Sequence, residues 1–265
     1  VTSAFISLGW TDLALATVLI VVAGAISVVL RLGIEWRLGV AAVRTVVQLG
    51  LIGLILERVF ALERADLVVL LVLAMTVFAA REAVSRTTRR YRWIWLDAWM
   101  AITASCLLVG AIVTQVVVGV KPWYDPQYVI PLIGMILGNS LTGISLSLDR
   151  LMEHLSARAA EVELRVAFGA SRREALREPL RAAIRTGLIP IVNSMSAAGV
   201  VSLPGMMTGQ ILAGAPPMQA VAYQVVVMFM IAAAVALGAM AVALSAARRL
   251  VRPDGSLCRE RLVQQ

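Results

Sequence analysis

A single lysine, a single histidine and two cysteines stand among 265 residues, and no carboxylate falls near the middle of a long apolar run. Each scarcity removes a class of chemistry. A phosphate-binding loop of the Gly-Lys-Ser/Thr type needs a lysine ammonium to reach the nucleotide phosphates. Lys121 is the only lysine, in a predicted turn and followed by Pro122, so the chain holds no such ATP site. Cys106 falls within an apolar tract and Cys258 in a polar tail, which argues against a disulfide framework. His154 is alone, and no paired Asp or Ser/His arrangement occurs inside the apolar runs. That disfavours an intramembrane enzyme and leaves no metal site among the expected features. A carrier driven by a proton or sodium gradient would use intramembrane carboxylates or paired unwound helices. Asp12, Glu57, Asp66 and Asp97 lie at the ends of apolar runs instead. Aromatic residues make up only 6% and do not alternate with the basic ones, so the formal charge of +8 does not describe a stacking platform for nucleic acid.

What the sequence has in excess is apolar surface. Hydrophobic residues make up 60% and the mean hydropathy is +0.87, more than a water-soluble domain of this length would tolerate. A bilayer core about 30 Å thick needs roughly 20 apolar residues per helical crossing. Leu13 to Leu30, Ala98 to Val120 and Tyr128 to Leu148 carry no charge, nor does Thr186 to Ala247, which is long enough for two crossings. Leu38 to Leu56 is apolar apart from Arg44 and Gln48, and Leu67 to Ala80 is short and borrows its flanks. Pro204 with Gly205, then "AGAPP" at Ala213 to Pro217, divide the last tract. The expected fold is all-α: one polytopic membrane domain over 1–265, with about seven spans near 11–32, 38–57, 66–81, 97–120, 127–148, 186–204 and 218–247. A cytoplasmic helical loop over 149–185 joins spans five and six, and a cytoplasmic tail covers 248–265.

Short loops rich in Lys and Arg stay in the cytoplasm. Alternation places the turn after span one, Arg81 to Arg92, Arg150 to Arg185 and the tail on one side, and these hold 20 of the 24 Lys and Arg residues. The expected location is the inner cell membrane, N-terminus outside and C-terminus in the cytoplasm. Anionic headgroups and an acidic cytoplasmic partner account for the positive charge. No basic n-region precedes the first apolar run, so that span is expected to be retained.

The cytoplasmic stretch "ELRVAFGASRREALREPLRAAIRTGLIP", Glu163 to Pro190, breaks the apolar pattern with repeated arginines. Val162, Val166, Ala175, Leu176, Leu180 and Ile184 recur at helical spacing, which predicts amphipathic helices interrupted at "GAS". Gly169 permits a tight bend, and Ser171 with Glu174 three residues on makes a capping box. The unit reads as helix, turn, helix. Two roles are open to it: a solvated loop that docks nothing, or a docking surface built on the apolar knob Ala167 to Ala170.

The pattern Glu-Leu-Arg-x-x-x-Gly at Glu163 to Gly169, with a later Ile189-Pro190, resembles the cytoplasmic coupling loop of ABC-transporter permeases. Leu164 and Arg165 stand where that pattern has alanines, and the interval from Gly169 to Ile189 is long. Three further stretches, "RTVVQL" at Arg44 to Leu49, "IPLIGMILGNSLTGISLSLDRL" at Ile130 to Leu151 and "GVVSLPGMMTGQILAGAPPMQAVAYQVVVMF" at Gly199 to Phe229, resemble the FetB (YbbM) family of iron-export permeases. Plant aluminium-tolerance permeases are its relatives. The resemblance implies a non-enzymatic permease subunit that works with a separate cytoplasmic ABC ATPase, which brings ATP and Mg²⁺; no cofactor is implied in this chain. It further implies a homodimer, alternating access, and export of iron or another metal species, free or chelated. By the same resemblance Glu163, Ala167, Phe168, Gly169, Ala170, Ser171 and Arg172 would dock the ATPase. The alternative is a gradient-driven secondary transporter or a membrane scaffold without ATP coupling.

Polar side chains inside spans are costly and face protein or a water-filled cavity. Arg44 and Gln48 share a helix face in span two, where Arg44 either snorkels to the boundary or favours anionic cargo. Asn139 and Thr142 in span five, and Asn193 and Ser196 in span six, either bond cargo or join helices. Met206, Met207 and Gln210 follow the expected break in span six, as an outer gate or as flexible packing. Thioethers suit soft ions, whereas iron and aluminium prefer oxygen ligands that the spans lack, so a chelated or anionic cargo fits these residues better than a bare ion.

Overall fold

The computed structural model describes residues 9–252 together with 256, 263 and 264. Cys258 and most of the expected tail over 248–265 lie outside the described residues. The contacts divide the chain into two compact units.

Two helices make the first unit, α1 (Trp10–Val29) and α2 (Glu35–Leu62). At the start of α1 the Asp12 carboxylate accepts the Gly9 N–H at 2.8 Å, a negative group at the electropositive helix end. The turn between the helices bends through Arg31 and Gly33, both at positive φ, and Ser27 Oγ donates to Glu35 Oε2 at 2.9 Å across it. Most of the Leu, Val and Ile side chains of the pair are exposed. Helices apolar all round belong in lipid or against other protein.

The second unit contains α3 (Ala65–Ser85), α4 (Ile94–Ile112), α5 (Pro126–Ala157), α6 (Ala159–Ala167), α7 (Arg172–Ala175), α8 (Arg177–Ala197), most of α9 (Gly205–Leu212) and α10 (Pro217–Leu250). A π-helical turn at Val113–Val117 continues α4. Asp125 caps α5, its Oδ1 accepting the Gln127 N–H at 2.9 Å, and Pro126 takes the first helical position, where no N–H is needed. α5 is the hub, packed against α3, α4, α8 and α10. Its Ile136, Ile144, Leu148, Leu151 and Met152 are fully buried. α10 meets the core with Ala234, Ala239, Ala243 and Ala246, small residues that let helices approach where lipid removes most of the hydrophobic drive. The approach is tightest between α5 and α8: a Cβ built on Gly187 would lie 2.5 Å from the Gly143 carbonyl oxygen. A two-residue antiparallel ladder, β1 (Arg89–Arg90) with β2 (Val263–Gln264), pairs Arg89 with Gln264.

Among the described residues six helices are long and apolar enough to cross a membrane: α1, α2, α3, α4 with its π-turn, α5 and α10. The expected sixth span corresponds to α8, which is not among them because Arg177, Glu178, Arg181 and Arg185 occupy its first turns. Its position also differs from the expected 186–204. Helix begins at Arg177 and stops at Ala197, where Gly199 takes φ +82° and a bridge joins Ala198 to Ser202. The expected break at "LPGMMTGQ" therefore comes earlier, and Gly205 to Leu212 is itself the short helix α9. α5 runs to Ala157, beyond the expected end at 148, because Arg150 and Glu153 pair along it at 2.7 Å rather than opening a loop. His154, expected in that loop, is accordingly half-buried on α5.

Candidate functional site

The excursion between α5 and α8 is a folded elbow. α6 closes with a Schellman motif: Gly169 takes φ +93°, its N–H reaches the Val166 carbonyl at 2.9 Å, and the Ala170 N–H reaches Arg165 at 3.0 Å. Ser171 then starts α7 with a reciprocal capping box, its Oγ accepting the Glu174 N–H at 3.3 Å while Glu174 Oε2 accepts the Ser171 N–H at 2.7 Å. The Ser171 hydroxyl, donating to the same carboxylate, and then the Ser171 N–H hold Glu174 below the usual carboxylate range. A group so lowered contributes stability above its unfolded pKa and loses it as pH falls through the folded one. Ser171→Ala is therefore expected to speed amide exchange across 172–175 at neutral pH, and the difference from wild type should close on acidification.

One face of the elbow is anchored and the other is bare. Ala159, Val162, Ala175 and Leu176 are buried in the core, whereas Phe168 is 83% exposed and Leu164 beside it is exposed as well. Of the residues expected to dock a partner, Ala167, Phe168, Gly169 and Ser171 stand at the exposed tip; Glu163, Ala170 and Arg172 are half-buried. Arg172 holds the base, its Nη2 donating to the Ala247 carbonyl at 3.1 Å in the last turn of α10.

Two residues beyond that carbonyl, Arg249 reaches α4. Its Nε lies 2.9 Å from Asp97 Oδ1 and 2.8 Å from Oδ2, and Tyr91 Oη donates to Asp97 Oδ2 at 2.7 Å. Burial first, then the Asp97 carboxylate, push the Tyr91 phenol up. Trp93 lies beneath the Arg249 guanidinium, 5.8 Å from ring centre to Cζ. Thr88 adds two hydrogen bonds to Asp149 Oδ1, from N at 2.9 Å and Oγ1 at 2.7 Å. Sequence reasoning placed Asp97 at a span end but missed its partners, since Arg249 is 152 residues away.

Within the second unit the polar residues expected along a pathway are spread over α5, α8 and α9. Arg44 and Gln48 are exposed on α2 in the first unit. Asn139 Nδ2 donates to the Met135 carbonyl at 2.9 Å, and Ser196 Oγ to Val192 at 2.9 Å, each within its own helix. Thr142 Oγ1 contacts Gly138 O at 3.4 Å and Arg86 Nη1 at 3.5 Å. Asn193 lines an open groove along α8 with Arg181 and Arg185. Met206 packs against the core, and Gln210 Oε1 is buried without a hydrogen-bond partner among the described residues. Met207 lines an open cleft of about 270 Å³ that also takes Met195, Met228 and Gln224. Gln224 is a polar residue inside an apolar run, so the rule that singled out Gln48 and Asn139 would have found it too. Among the described residues no three His, Cys, Asp or Glu side chains gather as metal ligands.

Long apolar helices, a core packed through small residues and a polar elbow at one end define an all-α polytopic membrane protein. The chain belongs to the Uncharacterised protein family (UPF0014), which it matches over residues 10–251. It is 37% identical to the "UPF0014 membrane protein slr1647" of Synechocystis sp., covering 86% of this chain and 88% of that one. It is 34% identical to the "Probable iron export permease protein FetB" of Escherichia coli, with 83% of each chain covered. With the Arabidopsis thaliana "Protein ALUMINUM SENSITIVE 3" identity is 30%, over 85% of this chain and 81% of the other. The resemblance read from Arg44 to Leu49, Ile130 to Leu151 and Gly199 to Phe229 is thus borne out. No solved structure matches.

Proposed function

We propose that the chain is the membrane-spanning permease subunit of an ABC transporter, coupled to a separate cytoplasmic ATPase that supplies ATP and Mg²⁺. The observation that carries this reading is Phe168, an aromatic side chain 83% exposed on an elbow whose other face is buried and tied to α10 through Arg172. An apolar tip on a rigid mount suits a partner's pocket better than water. The name of the E. coli relative supports export of iron. Without a carboxylate or imidazole cluster among the described residues, iron or another metal moves more readily as a chelate than as a bare hard ion. The subunit acts as a homodimer in the inner membrane, with its N-terminus outside and the elbow in the cytoplasm.

ATP hydrolysis in nanodiscs, with the chain purified beside its ATPase, tests the reading. Phe168→Ala is expected to weaken the association roughly 30-fold, the equivalent of about 2 kcal/mol for an aromatic anchor. Gly169→Trp, which puts a Cβ at φ +93°, should uncouple hydrolysis from transport or dissociate the complex. Unchanged association and hydrolysis in both variants would leave the elbow a solvated loop and the reading wrong.

A further inference from the structure

Arg181 and Arg185 stand one turn apart on α8, at the head of an open groove of about 670 Å³ in the second unit. Ile184, Leu188, Ile189 and Val192 continue it along the helix, and no acidic residue lines it. Both arginines are exposed, and among the described residues neither has an ion-pair or hydrogen-bond partner. Arg150 on α5 and Arg165 on α6 each hold a carboxylate at 2.7 Å instead.

The neighbouring helix sets the depth of these groups. The Glu178 carboxylate acts on the His154 imidazole, and Gly187 packs on Gly143 and Ser147, so α8 runs antiparallel to α5. Arg181 and Arg185 therefore stand level with the stretch of α5 where its charge-free run ends at Asp149 and Arg150. Charge returns to a spanning helix where the headgroups begin, and the apolar part of the groove leads from there into the bilayer. At 1.5 Å per residue, Arg181 to Val192 covers about 16 Å, close to one leaflet of a hydrocarbon core about 30 Å thick.

These features select an occupant. A small soluble anion would meet the guanidiniums but leave the apolar run bare, and an uncharged chain would do the reverse. A second copy seated here across a two-fold axis would set the face against itself and crowd four unpaired guanidiniums together. An anionic head on an apolar tail answers both ends. The guanidinium fork matches phosphate oxygens in pairs, and basic side chains at the membrane surface attract anionic lipid. We propose that this groove binds an anionic phospholipid, its phosphate on Arg181 and Arg185 and an acyl chain along Leu188, Ile189 and Val192. The inference does not depend on the ATPase partnership.

The full chain in detergent micelles is titrated with dioleoyl phosphatidylglycerol or dioleoyl phosphatidylcholine, which share their tails. Native mass spectrometry then reads lipid occupancy and self-association together. Phosphatidylglycerol is expected to bind saturably and about 30-fold more tightly, the worth of two arginines at an anionic headgroup. Arg181→Gln with Arg185→Gln should erase that preference and leave phosphatidylcholine binding unchanged, which shows that the groove is still formed. Arg173→Gln with Arg248→Gln removes the same charge from exposed positions outside the groove and should keep the preference. Equal binding of the two lipids to wild type overturns the proposal, and so does a preference lost in both double variants, which would leave only diffuse surface charge. Displacement of the lipid by an equal concentration of glycerol 1-phosphate would make this a site for a soluble phosphate and overturn it. An Arg181→Gln, Arg185→Gln chain that loses self-association but keeps the lipid preference would assign the face to a second copy and overturn it as well.

Discussion

Gly187→Ala is expected to lower the stability of the second helical unit by about 3 kcal/mol, near the top of the range for overpacking a filled core. The new methyl group would sit 2.5 Å from the Gly143 carbonyl oxygen and 3.1 Å from Ser147 Cβ. The first obstacle is backbone, so no side-chain rotation relieves it, and α8 must move off α5. Gly143→Ala meets the same contact from the other side, with Val235 Cγ1 at 2.5 Å and the Gly187 oxygen at 2.9 Å. The two changes should therefore be less than additive, because the first already separates the helices. Gly138→Ala on the same helix is the control: nothing among the described residues lies within 4 Å of its added Cβ. There alanine should be neutral, or stabilising by about 0.5–1 kcal/mol through its better helix propensity. Unfolding in mixed micelles with rising SDS, followed by helical circular dichroism, compares wild type with the three single variants and the Gly143→Ala/Gly187→Ala double variant. Equal midpoints for Gly187→Ala and Gly138→Ala would show that the two helices are not in backbone contact.

Arg249→Ala is expected to cost about 3 kcal/mol, the lower end for breaking a buried ion pair. The lower end applies because water reaches Arg249, whose side chain is 36% exposed, while that of Asp97 is 3% exposed. Its loss leaves the Asp97 carboxylate with the Tyr91 hydroxyl, which donates to Oδ2 at 2.7 Å. Tyr91→Phe should cost less, about 1–2 kcal/mol, because a hydrogen bond to a charged group is lost but the guanidinium stays. The pair also predicts an alkaline effect. Because the folded phenol titrates above its ordinary value, its contribution is fully present below an unfolded pKa of about 10 and fades as pH rises past it. Raising the pH from 8 to 11 should thus destabilise wild type more than Tyr91→Phe, measured by the same SDS titration. Parallel pH profiles for the two chains would remove Tyr91 from the network.

The sequence made the helical class and the elbow legible because both rest on local signals. Charge-free runs locate the spans, and "GAS" followed by Glu174 marks a bend and a cap within a few residues. Boundaries were less legible where charge and helix coincide. Arg150 and Glu153 look like a loop on hydropathy, yet as an i,i+3 pair they extend α5 to Ala157. Pro204 looked like the breaker of the sixth helix, but the chain turns earlier at Gly199, whose φ of +82° no local pattern announces. Tertiary pairing was the least legible. Nothing near Asp97 in the chain names Arg249, and nothing near Met207 names Gln224.

α10 has no proline after its first residue and no break between Gln224 in the methionine cleft and Ala247, where Arg172 grips it. Those positions are separated by 23 residues of helix, about 35 Å at 1.5 Å per residue. A rod without a hinge acts as a lever. A sideways push of about 5 Å on the end held by the elbow tilts it by about 8°, and a pull along its axis arrives at the far end undiminished. Whatever moves the elbow therefore moves the wall of the cleft in the same stroke.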